Sequence, residues 1–359
     1  MNISTQLRNA YDNLTLYVRV RHRLEDSKKD FAQKDQTILK GLTSAQKKEV
    51  NEFWHRYGVT SFDIRWVDFY SSLYGTYDKR FIPDDIYFSK IDLYFNNADA
   101  AQYLDDKNQY SLLFKGVKMP RTVVRKIKGL FLDEDYQLLT FDEALHLCME
   151  AKNIIFKRSV LSCGGYGIHF WNEKDGLEAL KKRLKSSHDF ISQEVVRQHP
   201  TLNKLHKDSL NSVRIMTLVF GNQVYALSGI LRMGINGNKV DNVGSGGICC
   251  GIDHQGRLKK YAFQKNGTKL TKHPQGATFS DITIPNYAEC VTLAKSLALR
   301  LVRCSQLVSW DIAIDEEGTP VLIEANLATG ELDFHQWSNG PIFGDLTENV
   351  LDEVFHHNS

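Results

Sequence analysis

Two acids and an amide lie close together near the end of the sequence, in Val308-Ser-Trp-Asp-Ile-Ala-Ile-Asp-Glu-Glu-Gly-Thr-Pro-Val-Leu-Ile-Glu-Ala-Asn326. Apolar residues alternate on both sides of a turn signal. Val308, Trp310, Ile312 and Ile314 precede it, and Val321, Ile323 and Ala325 follow. Period-two alternation predicts an amphipathic hairpin. A four-residue loop, Asp315 to Gly318, buries both apolar sets together by pairing Ile314 with Thr319 and Asp311 with Leu322. A three-residue loop with Gly318 in a bulge is the competing register. It sets apolar residues opposite polar ones and is rejected. In the chosen register Asp311, Glu324 and Asn326 leave the other face together, with Glu324 diagonal to Asp311 at roughly 7–8 Å between backbones. Two carboxylates and an amide oxygen suit a hard cation such as Mg²⁺. The bland alternative is a solvated polar face, yet the segment that follows, Ala-Asn-Leu-Ala-Thr-Gly330, is short of charges.

A second group suits anions. Lys157 ends the β-branched run Asn153-Ile-Ile-Phe-Lys, and a loop with Gly164, Gly165 and Gly167 follows. Glycines let a backbone approach a polyanion, and successive N–H groups form an anion-binding nest. No Gly-Lys-Ser/Thr follows, so this is not a P-loop. The chain continues as strand-like Ile168-His-Phe-Trp, so it is not a dinucleotide fingerprint. Arg214 and Arg232 sit inside otherwise apolar strands, where an unpaired charge is costly. Each either pairs with a nearby acid or holds phosphate or carboxylate oxygens.

These residues need scaffolding elements, and the sequence offers an α+β set. Residues 1 to about 57 read as helical, with a capping box at Thr43 and Gln46, an apolar face of Val50, Phe53, Trp54 and Tyr57, and a C-cap signal at Gly58. Residues 59–105 are rich in Tyr, Phe and Asp; packing is the first reading of those rings and a sugar site the second. From about residue 106, short β-branched runs at 122–124, 153–157 and 190–196 alternate with helical stretches at 141–151 and 174–187. Strands at 212–220 and 224–233 flank the turn Gly221-Asn222-Gln223. Residues 234–256 read as a glycine-rich loop and 286–304 as helix.

The 359 residues suit two or three packed subdomains, and Lys+Arg 45 against Asp+Glu 43 leaves a net charge of +2, too little for a dedicated nucleic-acid binder. No apolar run is long enough to span a bilayer, which takes roughly 18–20 residues. No signal peptide is evident, and the six scattered cysteines form no CxxC pair, so a cytoplasmic, reduced protein is expected.

Taken in order, these pieces resemble the ATP-grasp superfamily, and most closely its sugar-transfer associated branch. The resemblance rests on Phe53-Trp54-His-Arg-Tyr-Gly58, Ile82-Pro-Asp-Asp85, Asp106-Lys107-Asn108, Phe156-Lys157 with the glycine loop, and Gln193-Glu194-Val195-Val196. It continues through Asn211-Ser-Val-Arg214, Leu231-Arg232-Met-Gly234, Val240-Asp241-Asn242, Gly246-Gly247, His273-Pro274, Ile284-Pro285, Trp310-Asp311 and Glu324-Ala-Asn326. Two departures stand out: Ser212 where threonine is expected, and Cys163 within the glycine loop.

The resemblance implies an ATP-grasp fold, two α+β subdomains holding ATP between them, with a mainly helical acceptor-side region over 1–105. The subdomains would span 106–192 and 193–359. It implies that Lys107 and Lys157 hold ATP phosphates together with Gly164, Gly165 and Gly167. Gln193, Glu194, Val195 and Val196 would meet the adenine, and Asp311, Glu324 and Asn326 would hold Mg²⁺. Arg232 would lie beside the transferred phosphate, and Arg214, Asp241 and Asn242 would hold the acceptor. The implied activity is an ADP-forming carboxylate–amine ligase acting on small molecules, with a sugar or uronic acid as acceptor and surface-polysaccharide precursors as setting. A kinase on the same fold and a non-catalytic sugar- or nucleotide-binding protein are the alternatives.

Overall fold

The computed structural model describes residues 3–160 and 167–356. Two antiparallel sheets carry the order of the molecule, and the residues of chemical interest meet between them. The first sheet uses β1 (Thr122–Ile127), β2 (Leu130–Leu132), β3 (Leu138–Leu139), β4 (Asn153–Arg158), β5 (His169–Asn172) and β6 (Phe190–Glu194), in the order β3-β2-β1-β6-β4-β5. Helices Phe141–Ala151 and Leu177–Leu184 cover one face. They bury Ala144, Cys148, Leu180 and Leu184 against Val124, Ile154, Phe156 and Trp171.

The second sheet uses β7 (Ser212–Phe220), β8 (Gln223–Met233), β9 (Ile248–Ile252), β10 (Leu258–Phe263), β11 (Lys269–Leu270), β12 (Leu307–Ile314) and β13 (Pro320–Asn326), in the order β11-β10-β9-β8-β7-β12-β13. It is covered on both faces, which explains its nearly continuous apolar strands. Val213 and Ile215 pack with Trp310, Ile312 and helix Tyr287–Leu301 on one side. Met216, Leu218 and Ile230 pack on the other side against the N-terminal aromatics and Trp337. Trp54, Trp66, Phe69, Tyr70 and Phe81 are each fully buried there, so these rings of the N-terminal region are packing, while Tyr103 is exposed.

The N-terminal region is helical, over Ile3–Ala32, Ser44–His55 and Arg65–Tyr74. The capping box forms as expected. The Gln46 N–H donates to Thr43 Oγ1 at 3.2 Å, and the Thr43 N–H donates to Gln46 Oε1 at 2.9 Å.

Two expectations need correction. The turn between β7 and β8 holds two residues, Gly221 and Asn222, with φ of 52° and 63°, and Gln223 pairs with Phe220 as strand. Positive φ at both positions gives the twist that a tight hairpin needs. Residues 234–256 are not all loop, because β9 runs through them. All five of its residues are buried, so no alternation marks it. Gly251 leaves room within it for Asn339, whose Oδ1 would lie 2.6 Å from a Cβ placed there.

Candidate functional site

The hairpin of β12 and β13 sets the acids, and its register differs from the expected one. Ile314 pairs with Pro320, Ala313 with Val321 and Ile312 with Leu322. Asp315 closes a three-residue loop on Thr319. Its N–H donates to the Thr319 carbonyl at 3.1 Å and its Oδ1 accepts from the Thr319 N–H at 2.8 Å. Gly318 takes φ +87°. This is the register rejected above. A second irregularity rescues it: Ile323 is an extra residue between Leu322 and Glu324, and the ladder resumes with Asp311 opposite Glu324. The bulge restores the parity of faces. Leu322 and Ala325 join the core beneath the sheet, Val321 is buried as well, and Ile323 instead lines the cleft.

Asp311, Glu324 and Asn326 therefore share one face, on the wall of a cleft of about 880 Å³. Asp311 is 3 % exposed and sits between two guanidiniums. Arg214 Nε and Nη2 each donate to it at 2.7 Å, and Arg232 Nη1 donates at 3.0 Å. Burial alone would raise this carboxyl; the two arginines outweigh it and hold the group down at about 2. Arg214 comes from β7 and Arg232 from β8, so adjacent strands deliver both. Arg214 Nη1 also donates to Glu331 at 2.6 Å. Arg232 Nε is buried without a hydrogen-bond partner.

Lys107 reaches into the same space, with Nζ 2.7 Å from Glu324 Oε1. It opens the turn Lys107–Gln109, anchored where the Lys107 N–H donates to the Ser159 carbonyl at 2.9 Å. Lys157 projects from β4, and its Nζ donates to Gln193 Oε1 at 3.1 Å. Burial pushes its ammonium down to about 8, against the pull of Glu324 and with a further push from Lys107. Low dielectric makes such a cation eager for a phosphate.

Most residues singled out above line this cleft. They are Lys107, Lys157, Glu194, Val195, Val196, Arg214, Arg232, Asp241, Asn242, Asp311, Glu324 and Asn326. Gln193 stands behind Lys157, and its amide donates to the Pro120 carbonyl at 3.3 Å. Gly167 has φ +77°, and a Cβ there would meet the Arg158 side chain at 2.7 Å, so glycine is required. Cys163, Gly164 and Gly165 lie outside the described residues. Asp241 is fixed by Ser212, whose N–H donates to Oδ2 at 3.1 Å and whose hydroxyl donates to the same atom.

Sequence reasoning missed Glu331, Asp105 and Lys239, all on the cleft wall. Glu331 is the first charge after the charge-poor segment beyond Asn326, which was its available signal. Lys239 lies over the Phe170 ring at 5.6 Å and so joins the β8–β9 connection to β5 across the cleft. Nothing in the local pattern announces that contact.

The oxygen donors of Asp311, Glu324 and Asn326 match the chemistry of a hard divalent cation. Glu324 carries more lone pairs than its Lys107 contact uses, whereas Asp311 already accepts from Arg214, Arg232 and Asn326. Among the described residues no group of three or more His, Cys, Asp or Glu could hold a metal by itself, so an ion here would lean on substrate oxygens as well.

The profile of the sugar-transfer associated ATP-grasp family matches residues 89–351. Among solved structures, the ATP-grasp ligase PsnB complexed with minimal precursor aligns over 72% of this chain at 16% identity and a TM-score of 0.41. The aligned part spans 64% of that structure's own chain, under two thirds of its length. D-alanyl-alanine synthetase A from Vibrio cholerae O1 biovar eltor aligns over 73% of this chain and 65% of its own at 10% identity, with a TM-score of 0.39. D-cycloserine synthetase DcsG aligns over 70% and 72% at 13% identity, with a TM-score of 0.41. No curated protein matches the sequence. Among the described residues no helix is long and apolar enough to cross a membrane.

Proposed function

Because this chain belongs to the sugar-transfer associated ATP-grasp family and has the ATP-grasp fold, we propose that it is an ATP- and Mg²⁺-dependent ligase joining a carboxylate to an amine. The observation that carries the reading is one cleft that gathers Lys107, Lys157 and Arg232 around Asp311, Glu324 and Asn326. Phosphoryl transfer asks a protein for positioning and charge neutralisation rather than a covalent group. A substrate carboxylate oxygen attacks the γ-phosphorus of ATP, and ADP leaves with the bonding electron pair. The amine then adds to the acyl phosphate carbonyl, inorganic phosphate departs, and the amine proton passes to solvent.

Lys107 and Lys157 bind the phosphates, and Arg232, whose Nε has no hydrogen-bond partner, lies beside the phosphoryl group in transit. Asp311, Glu324 and Asn326 would hold Mg²⁺, which when bound supplies Lewis-acid neutralisation of phosphate oxygens. Arg214 gives Nε, Nη1 and Nη2 to protein carboxylates. Its part is to orient Asp311 and Glu331. Glu194, Val195 and Val196 link the first sheet to the second and take the adenine. Asp241 and Asn242 face the acceptor. On this reading the lobes are 106–192 and 193–359, and residues 1–105 belong to the acceptor side. The acceptor class that fits the family is a sugar or uronic acid of a surface-polysaccharide precursor, handled in the cytoplasm.

Phosphorus NMR on the protein with MgATP and a panel of amino acids and uronic-acid sugars tests this. ADP and free phosphate appearing only when carboxylate and amine are both present is the expected result. ADP with a new stable phosphate ester would make the protein a kinase instead. Turnover undiminished in Glu324→Gln would remove the assignment of the metal ligands.

A further inference from the structure

The cleft wall beyond Asn326 contains an irregularity that the hairpin does not explain. Thr329 lines the cleft with φ +55°, a left-handed conformation that a β-branched residue rarely adopts. Such a conformation persists only when its surroundings over-determine it. Two side chains from the N-terminal helical region do so, one at each end of the segment.

The first tie runs through Asp92, whose side chain is 1 % exposed. Its Oδ1 accepts the Thr329 N–H at 3.1 Å and the Asn96 amide at 2.9 Å. Asn96 in turn exchanges two hydrogen bonds with Leu307, the first residue of β12, the strand that carries Asp311. The other oxygen, Oδ2, accepts Arg23 Nη1 at 2.6 Å, and Arg23 Nη1 also donates to the Phe88 carbonyl at 2.7 Å. Phe88 belongs to a π-helical turn, Tyr87–Ile91, immediately before Asp92. The second tie is Lys34. Its fully buried side chain places Nζ 2.8 Å from Asp333 Oδ2 and 2.9 Å from Asp30 Oδ2, with the Trp337 ring at 5.1 Å. Between the two ties, Glu331 holds Arg214 at 2.6 Å.

We infer that the N-terminal helix and the bend that follows it brace the active-site wall: Arg23, through Asp92, and Lys34, through Asp333, hold segment 327–333 at Thr329 and Asp333 and so position Thr329 and Glu331 in the cleft. Arg23 and Lys34 lie outside the span, 89–351, that the family profile matches. Both are positioning residues, since each acts through a buried aspartate. A charge-assisted hydrogen bond to a buried carboxylate suits that task, because losing the cation leaves the acid unpaired and free to turn from Thr329. Calling this wall the substrate side rests on the ligase reading; the clamp itself does not.

Hydrogen–deuterium exchange on the full chain reads the clamp without any substrate. In Arg23→Ala, segment 327–333 should exchange about tenfold faster, while helix 141–151 and the affinity for MgADP stay within about twofold. Arg23→Lys should recover most of the protection, and Lys34→Met should free the Asp333 end alone. Arg23→Gln serves as the milder variant if Arg23→Ala does not fold. Unchanged exchange at 327–333 overturns the proposal, as does an equal acceleration in helix 141–151. With the substrates chosen by phosphorus NMR, Arg23→Ala should raise the KM of one of them about tenfold and leave the KM for ATP within about twofold. If no panel member turns over, the ligase reading fails while the exchange result still decides the brace.

Discussion

Asp311 stands directly opposite Glu324 across the β12–β13 ladder, yet the two carboxylates answer to different cations. Asp311 is buried between Arg214 and Arg232, whereas Glu324 is 27 % exposed and meets Lys107. Their substitutions should therefore separate. Asp311→Asn takes the charge partner from buried Arg232 and leaves Arg214 with Glu331 alone, and should cost about 3–5 kcal/mol in urea unfolding. Glu324→Gln, at a more open position facing one cation, should cost less than Asp311→Asn. Both should lower MgATP turnover by about a hundredfold or more. Equal stability losses would contradict the difference in burial. The pH sign follows from the same pair. The Asp311 carboxyl is depressed to about 2, so its stabilisation is complete above the ordinary aspartate value and is lost as pH falls through about 2.

Lys157 gives a second pH dependence, in the binding of nucleotide. Burial lowers its ammonium to about 8, so the free protein loses this proton as pH rises through about 8. Phosphate favours the charged form, so binding takes a proton up above that pH. Affinity for MgADP should be full below about pH 8 and weaken by up to about tenfold per pH unit above it. Titration calorimetry over roughly pH 7 to 9 measures this, and Lys157→Arg should remove the breakpoint. Folding stability moves the other way. From about 8 up to the ordinary lysine value the unfolded chain holds a proton that the folded one has released, so this group makes stability rise with pH.

The capping box at Thr43 should be worth about 1 kcal/mol. Thr43→Ala orphans the Gln46 N–H at the start of a helix that buries Val50, Phe53 and Trp54. Denaturant unfolding followed by tryptophan fluorescence reads the loss. Thr43→Ser should keep most of it.

The aromatic N-terminal region makes a contrast that separates packing from recognition. Trp66 is fully buried and Tyr103 is 81 % exposed. Trp66→Ala should cost about 3–5 kcal/mol, and Tyr103→Ala should change stability by less than about 0.5 kcal/mol. A Trp66→Ala protein of unchanged melting temperature would contradict the core placement.

The sequence by itself determined the elements whose signals are local. The Thr43–Gln46 box and the 141–151 helix follow from spacing within a few residues, whereas the shared face of Asp311, Glu324 and Asn326 was expected through a register the hairpin does not adopt. Pattern legibility ended where one local irregularity compensates another. The loop at Gly318 and the bulge at Ile323 each shift the register, and only together do they keep the acids on one face. Tertiary structure alone decided the partners. Arg214 and Arg232 meet Asp311 because β7 lies between β8 and β12. Glu331, Lys239 and the Arg23–Asp92–Thr329 chain join residues far apart in sequence, where no periodicity connects them. The physical reason is one of range: capping and alternation depend on neighbours along the chain, whereas a buried charge finds its partner only once the sheets and helices have packed.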